Sequence, residues 1–204
     1  MPLSRRTVAL LGAGALLLAT VAFVTDSLFP ELLRIPTSAV HPSATPGTPE
    51  AFVNFTGTPA QYVAGFNLNG IALSANGKQL VVIASNTGKL FRIGLRDRVV
   101  AEIPVAGGPL PMGDGILVNG HLLLVSRNAI ELTVSVALAA DASDGRVFAA
   151  YTDPLYMFPT TIALAGGRVL SVNAQFDRRG AGQPPELPFT VASVSLARVL
   201  AGNA

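Results

Sequence analysis

The chain has 204 residues, half of them hydrophobic and 13% charged, which suits one domain of ordinary size plus appendages and excludes intrinsic disorder. Two of its 14 basic residues, Arg5 and Arg6, sit at the N-terminus, and the remaining 12 balance 12 acidic residues. With no Lys/Arg run interleaved with aromatics, this argues against nucleic acid as a partner, and the absence of Cys removes disulfides, Cys-based zinc sites and thiol nucleophiles.

Residues 1–24 begin with a short basic segment, Arg5-Arg6, followed by an uncharged stretch from Thr7 to Val24. This is the layout of an export signal, and the Ser4-Arg5-Arg6 context resembles a twin-arginine signal. Thr20 and Ala22 offer small side chains for cleavage. The alternative is an uncleaved hydrophobic helix serving as a membrane anchor, the chain's one expected contact with a membrane. Either way the body is expected outside the cytoplasm: periplasmic, extracellular or anchored on the outer face of the cytoplasmic membrane. Residues 25–61 contain Pro36, Pro42, Pro46, Pro49 and Pro59 among small polar residues. Frequent Pro removes ladder donors, so this segment is expected as a linker.

From Asn69 the sequence alternates apolar runs with turn residues. GIALS (70–74), QLVVIAS (79–85), KLFRIGL (89–95) and RVVAEIPV (98–105) are separated by Asn76-Gly77 and Thr87-Gly88 and closed by Gly107-Gly108-Pro109. Asn-Gly and Thr-Gly supply the positive φ of tight hairpins. A second round follows in DGILV (114–118), HLLLVSR (121–127), IELTVSVAL (130–138) and RVFAAYT (146–152). A third is TTIALAG (160–166), RVLSVNAQF (168–176) and FTVASVSL (189–196). The rounds open at Asn69, Asp114 and Thr160. A period in the forties with four strands per unit predicts an all-β fold of about three four-stranded propeller blades over residues 62–204. A β-sandwich would also give short strands, but it does not demand equal spacing.

The pieces NGIALSANGKQLVVIASNTGKLFRIGL, GDGILVNGHLLLV and FPTTIALAGGRVLSVNAQF resemble successive blades of the gluconolactonase, senescence-marker-protein and luciferin-regenerating-enzyme family. The resemblance covers roughly residues 62–196. It implies the C-terminal half of a six-bladed propeller with a divalent cation (Ca²⁺, Mg²⁺ or Mn²⁺) at the top of its channel, acting on a small-molecule, lactone-type substrate. It assigns Asn69 as a metal ligand, and Asp114 as both metal ligand and general base. The family's two further ligands, a Glu and an Asn from earlier blades, have no counterpart recognisable here. Glu31 and Glu50 precede Asn69, but neither opens a blade-like strand.

Independently of the resemblance, Asn69, Asp114 and Thr160 would share one rim, with the turns Ser85-Asn86-Thr87, Ser126-Arg127-Asn128 and Asn173-Ala174-Gln175. Oxygen donors of this kind suit hard cations. Each Asn-Gly or Asp-Gly could equally be a turn whose side chain bonds local backbone. His41 sits in the Pro-rich segment and His121 begins a strand, and two His so placed give no support to a His-rich metal site or a Ser-His-Asp triad. Three functions stay open: a metal-dependent lactone hydrolase, an exported binding module, or a truncated inactive relative. Three blades also expose end faces, which a second chain could cover in a two-fold ring of six.

Overall fold

The computed structural model describes residues 15–17, 21–36 and 48–204. Four antiparallel sheets follow one another along the chain. Sheet I contains β1 (Ala15–Leu17), β2 (Val21–Thr25), β3 (Glu31–Pro36) and β4 (Glu50–Asn54). Sheet II contains β5 (Leu68–Leu73), β6 (Gln79–Ala84), β7 (Leu90–Gly94) and β8 (Val100–Ile103). Sheet III contains β10 (Gly113–Asn119), β11 (Leu122–Arg127), β12 (Leu132–Leu138) and β13 (Gly145–Tyr151), with the two-residue β9 (Val105–Ala106) added in parallel at its outer edge. Sheet IV has three strands, β14 (Pro159–Ala165), β15 (Arg168–Asn173) and β16 (Val191–Ser195). Two short helices complete the order, α1 (Phe176–Gly180) and α2 (Leu196–Ala201).

Sheets II, III and IV are the three expected rounds. Sheet I is a correction. The segment read as a linker from residue 25 contributes β3 and β4, and the hydrophobic segment that was expected as a helix contributes Ala15–Leu17 and Val21–Thr25 as strands. The cause lies between the prolines. Val21, Phe23, Val24 and Thr25 are β-branched or aromatic, and Glu31–Pro36 and Glu50–Asn54 are short enough to fit around Pro30, Pro36 and Pro49. Phe23 is buried and meets Phe52 edge-on at 4.9 Å between ring centres. Residues 1–14 and the linker's His41 lie outside the described residues. No helix among the described residues is long and apolar enough to cross a membrane. With a fourth sheet present, the arithmetic of three blades plus three no longer applies.

The sheets are covered on both faces where they have neighbours. In β6, Leu80, Val82 and Ala84 belong to the core shared with sheet I, while Val81 and Ile83 belong to the core shared with sheet III. This is the period-two consequence of a strand buried on both sides, and it explains the unbroken apolar run QLVVIA. In β11, Leu123 and Val125 face sheet II, and Leu124 faces sheet IV.

The first strands of successive sheets run against each other, and two glycines permit this. A Cβ on Gly70 would lie 2.2 Å from the backbone oxygen of Asp114, and one on Gly115 would lie 2.5 Å from that of Thr160. Gly70 after Asn69 and Gly115 after Asp114 are therefore required by the approach of the next sheet's first strand.

Candidate functional site

The strand register aligns the sheets residue by residue. Leu68 pairs with Ala84, Gly113 with Arg127, and Pro159 with Asn173. Asn69, Asp114 and Thr160 are therefore equivalent, each second in its inner strand. The residues just beyond the second strands, Ser85, Asn128 and Ala174, are likewise equivalent. All of these lie at one end of the sheets, as the sequence predicts.

Hydroxyls stitch this end together. Ser27 Oγ donates to Leu68 O (2.8 Å), Ser85 Oγ to Gly113 O (2.5 Å) and Ser126 Oγ to Pro159 O (2.9 Å), each crossing to the next sheet. Thr25 Oγ1 adds a bond to Asn69 O at 2.6 Å. These contacts hold the inner-strand starts in register without using the side chains of Asn69 or Asp114.

Asp114 is half-buried at this rim, and Asn128 Nδ2 donates to its Oδ2 at 2.8 Å. Burial pushes its carboxyl above the ordinary carboxylate range, and hydrogen bonds from Asn128 and Asn69 work against that rise. Asn69 also directs Nδ2 at Ser85 Oγ, at 3.4 Å. The structure thus brings Asn69 and Asp114 together, and supports each with the residue that follows its partner strand. Thr160 is buried, and its carbonyl is the one that meets Gly115. Of the earlier acidic residues, Glu50 is an outer ion-pair partner of Arg34 at 2.6 Å. Asp26 Oδ1 accepts from Leu28 N and Phe29 N within its own turn. Thr25 and Ser27 were not anticipated. Their only sequence signal is a hydroxyl ending an apolar run, shared by FVTDS, VIASN and LVSRN.

The donor set fits a hard cation in kind, since Asp114, Asn69, Asn128 and Ser85 offer only oxygen as ligand atoms. It brings one negative charge. Among the described residues, no group of three or more His, Cys, Asp or Glu comes together. A separate cleft of about 210 Å³ lies between the segment 59–67 and sheet II, lined by Tyr62, Leu68, Phe91 and their neighbours.

No protein-family model matches the chain, and no curated protein does. Solved structures do match. The major allergen Mala s 1 of Malassezia sympodialis aligns with a TM-score of 0.55 at 15% identity, over 86% of this chain and 52% of its own. A putative 6-phosphogluconolactonase from Bacteroides uniformis gives 0.53 at 15% identity, over 96% and 57%. The calcium-binding protein regucalcin from Agrobacterium tumefaciens gives 0.53 at 13%, over 86% and 57%. The fold is that of a β-propeller. At these identities the likeness carries the fold alone. The four sheets are its blades, and the chain spans about half the length of the propellers it matches.

Proposed function

We propose that the rim holding Asp114 is a small-molecule site, and that Asp114 serves there as a general base in the hydrolysis of a lactone-type ester. The observation that supports this is a half-buried carboxyl, raised by desolvation and oriented by Asn128 and Asn69 at the open end of the blades. A base of this kind, shifted toward neutral pH, accepts a proton from water more readily than an ordinary carboxylate does. Asn128 fixes Oδ2 of that carboxylate. Asn69 and Asp114 would hold a divalent cation such as Ca²⁺, Mg²⁺ or Mn²⁺. When bound, such an ion polarises an ester carbonyl.

A second reading has its own observation. With one carboxylate in the set Asn69, Asp114, Asn128 and Ser85 and no acidic cluster among the described residues, the same surface suits a non-catalytic module that recognises a ligand through its amides and hydroxyls. Export remains part of the proposal and rests on the Arg5-Arg6 leader. The burial of Ala22, Phe23 and Val24 in blade I weighs against cleavage after Ala22.

Calorimetric titration with Ca²⁺ or Mn²⁺, paired with an assay of lactone opening, tests both readings on wild type and Asp114→Asn. The hydrolase reading expects loss of turnover and of the binding heat in the variant. Equal heats and equal rates would remove Asp114 from the chemistry. The sign of the stability change is also fixed. Because the folded-state pKa of Asp114 is raised, its contribution to stability is present in acid and lost as pH rises through that pKa. Without metal, Asp114→Asn should therefore be the more stable protein at neutral pH, with the difference vanishing in acid.

A further inference from the structure

Arg127 is the cation at this rim that the fold does not explain. It ends β11, next to Asn128, and is half-buried. Its Nε donates to Pro111 O at 2.8 Å, and no other hydrogen bond or ion pair engages it among the described residues. A guanidinium carries five N–H donors in a rigid plane, so four remain. The three ion pairs among the described residues belong to Arg34, Lys89 and Arg178. Asp114, which accepts from Asn128, the residue after Arg127 in sequence, does not pair with Arg127.

The position itself requires no charge. The equivalent residues in blades II and IV, opposite Leu68 and Pro159, are Ala84 and Asn173. Opposite Arg127 stands Gly113, which brings no side chain to satisfy it. Partial burial of a cation without a counter-ion is unfavourable, and burial alone pulls this guanidinium's pKa down, with no carboxylate opposing it. A planar donor fork left open in this way matches an oxyanion.

We infer that Arg127 forms an anion-binding subsite beside Asp114, receiving a carboxylate or phosphate group of the ligand through its Nη donors. The inference rests on the rim being a ligand site, but not on hydrolysis there. Within the proposed function it narrows the substrate to an acidic one, held by its anionic group at Arg127 with the rest extending toward Asp114.

The probes are inorganic phosphate and acetate, titrated separately at constant ionic strength into the full chain. The readouts are the Arg127 Nε–H resonance and the melting temperature. A saturable shift with either ion supports the subsite and tells which oxyanion it prefers. Arg127→Gln should weaken the apparent affinity about tenfold or more, the loss expected for charge-assisted hydrogen bonds. Arg127→Lys should fall between, and Arg146→Gln, at an exposed position on the outer strand, should match wild type. No saturable response to either ion in wild type overturns the inference, as does an equal response in Arg127→Gln. The wild-type resonance suffices if that variant does not fold. Asp114→Asn should retain anion binding, so failure of the hydrolase reading leaves this result separate.

Discussion

Blade III has two unlike faces. Toward blade II it presents Leu123, Val125, Val134, Val136 and Leu138, and the core they enter is wholly aliphatic. Toward blade IV, β12 presents Thr133 and Ser135, and the shared core includes Tyr151, Tyr156, Asp153 and Ser171, all buried. Some of this polarity is satisfied. Tyr151 Oη donates to Asp153 Oδ2 at 2.7 Å, and Thr133 Oγ1 lies 3.0 Å from Tyr156 Oη. Ser135 Oγ is buried without a hydrogen-bond partner. One strand, LTVSVAL, therefore builds a strong interface with its valines and a weaker one with its hydroxyls, because alternate side chains point to opposite faces. Adjacent interfaces of a repeat fold contribute separately to stability, so the two can be perturbed one at a time.

Leu123→Ala should have the largest effect. It opens a cavity in the aliphatic interface at a fully buried position, and should cost about 3 kcal/mol in urea unfolding. If it cost no more than the same truncation facing blade IV, Leu124→Ala, the contrast would fail.

Tyr151→Phe comes next. Removing a donor from a buried carboxylate should cost about 2 kcal/mol at neutral pH. The hydrogen bond from Tyr151 holds Asp153 below the ordinary carboxylate range. Its stabilisation is therefore present above the unfolded-state pKa and lost as pH falls through the folded one. Wild type should lose that advantage over the variant in acid. A difference independent of pH would show that Tyr151 matters there only as bulk.

The smallest effect has the opposite sign. Ser135→Ala removes an unsatisfied hydroxyl and should stabilise the protein by about 1 kcal/mol. Destabilisation would reveal a partner for Ser135, such as an ordered water, and would bring the two interfaces closer in character.

The sequence made the last three blades legible because their turn chemistry and apolar alternation agree: Asn-Gly and Thr-Gly punctuate runs such as QLVVIAS. It hid blade I for a physical reason. Pro-rich composition reads as linker when averaged over a window, whereas the strands Glu31–Pro36 and Glu50–Asn54 fit between the prolines. VAFVT has the same apolar content as an export segment, and only its pairing with β3 distinguishes a strand. At the rim, Asn69 and Asp114 were accessible through the repeat and the family resemblance, and their shared location follows from the register. The unpaired state of Arg127 was not accessible, since it depends on which carboxylates the fold carries elsewhere.

Gly70 and Gly115 have a last consequence, for traffic. Where a side chain would have held two inner strands apart, main chain lies directly on main chain. The seams between blades II and III and between III and IV are closed at that level, so a solute cannot slip in sideways. The way to Asp114 therefore does not run between these blades.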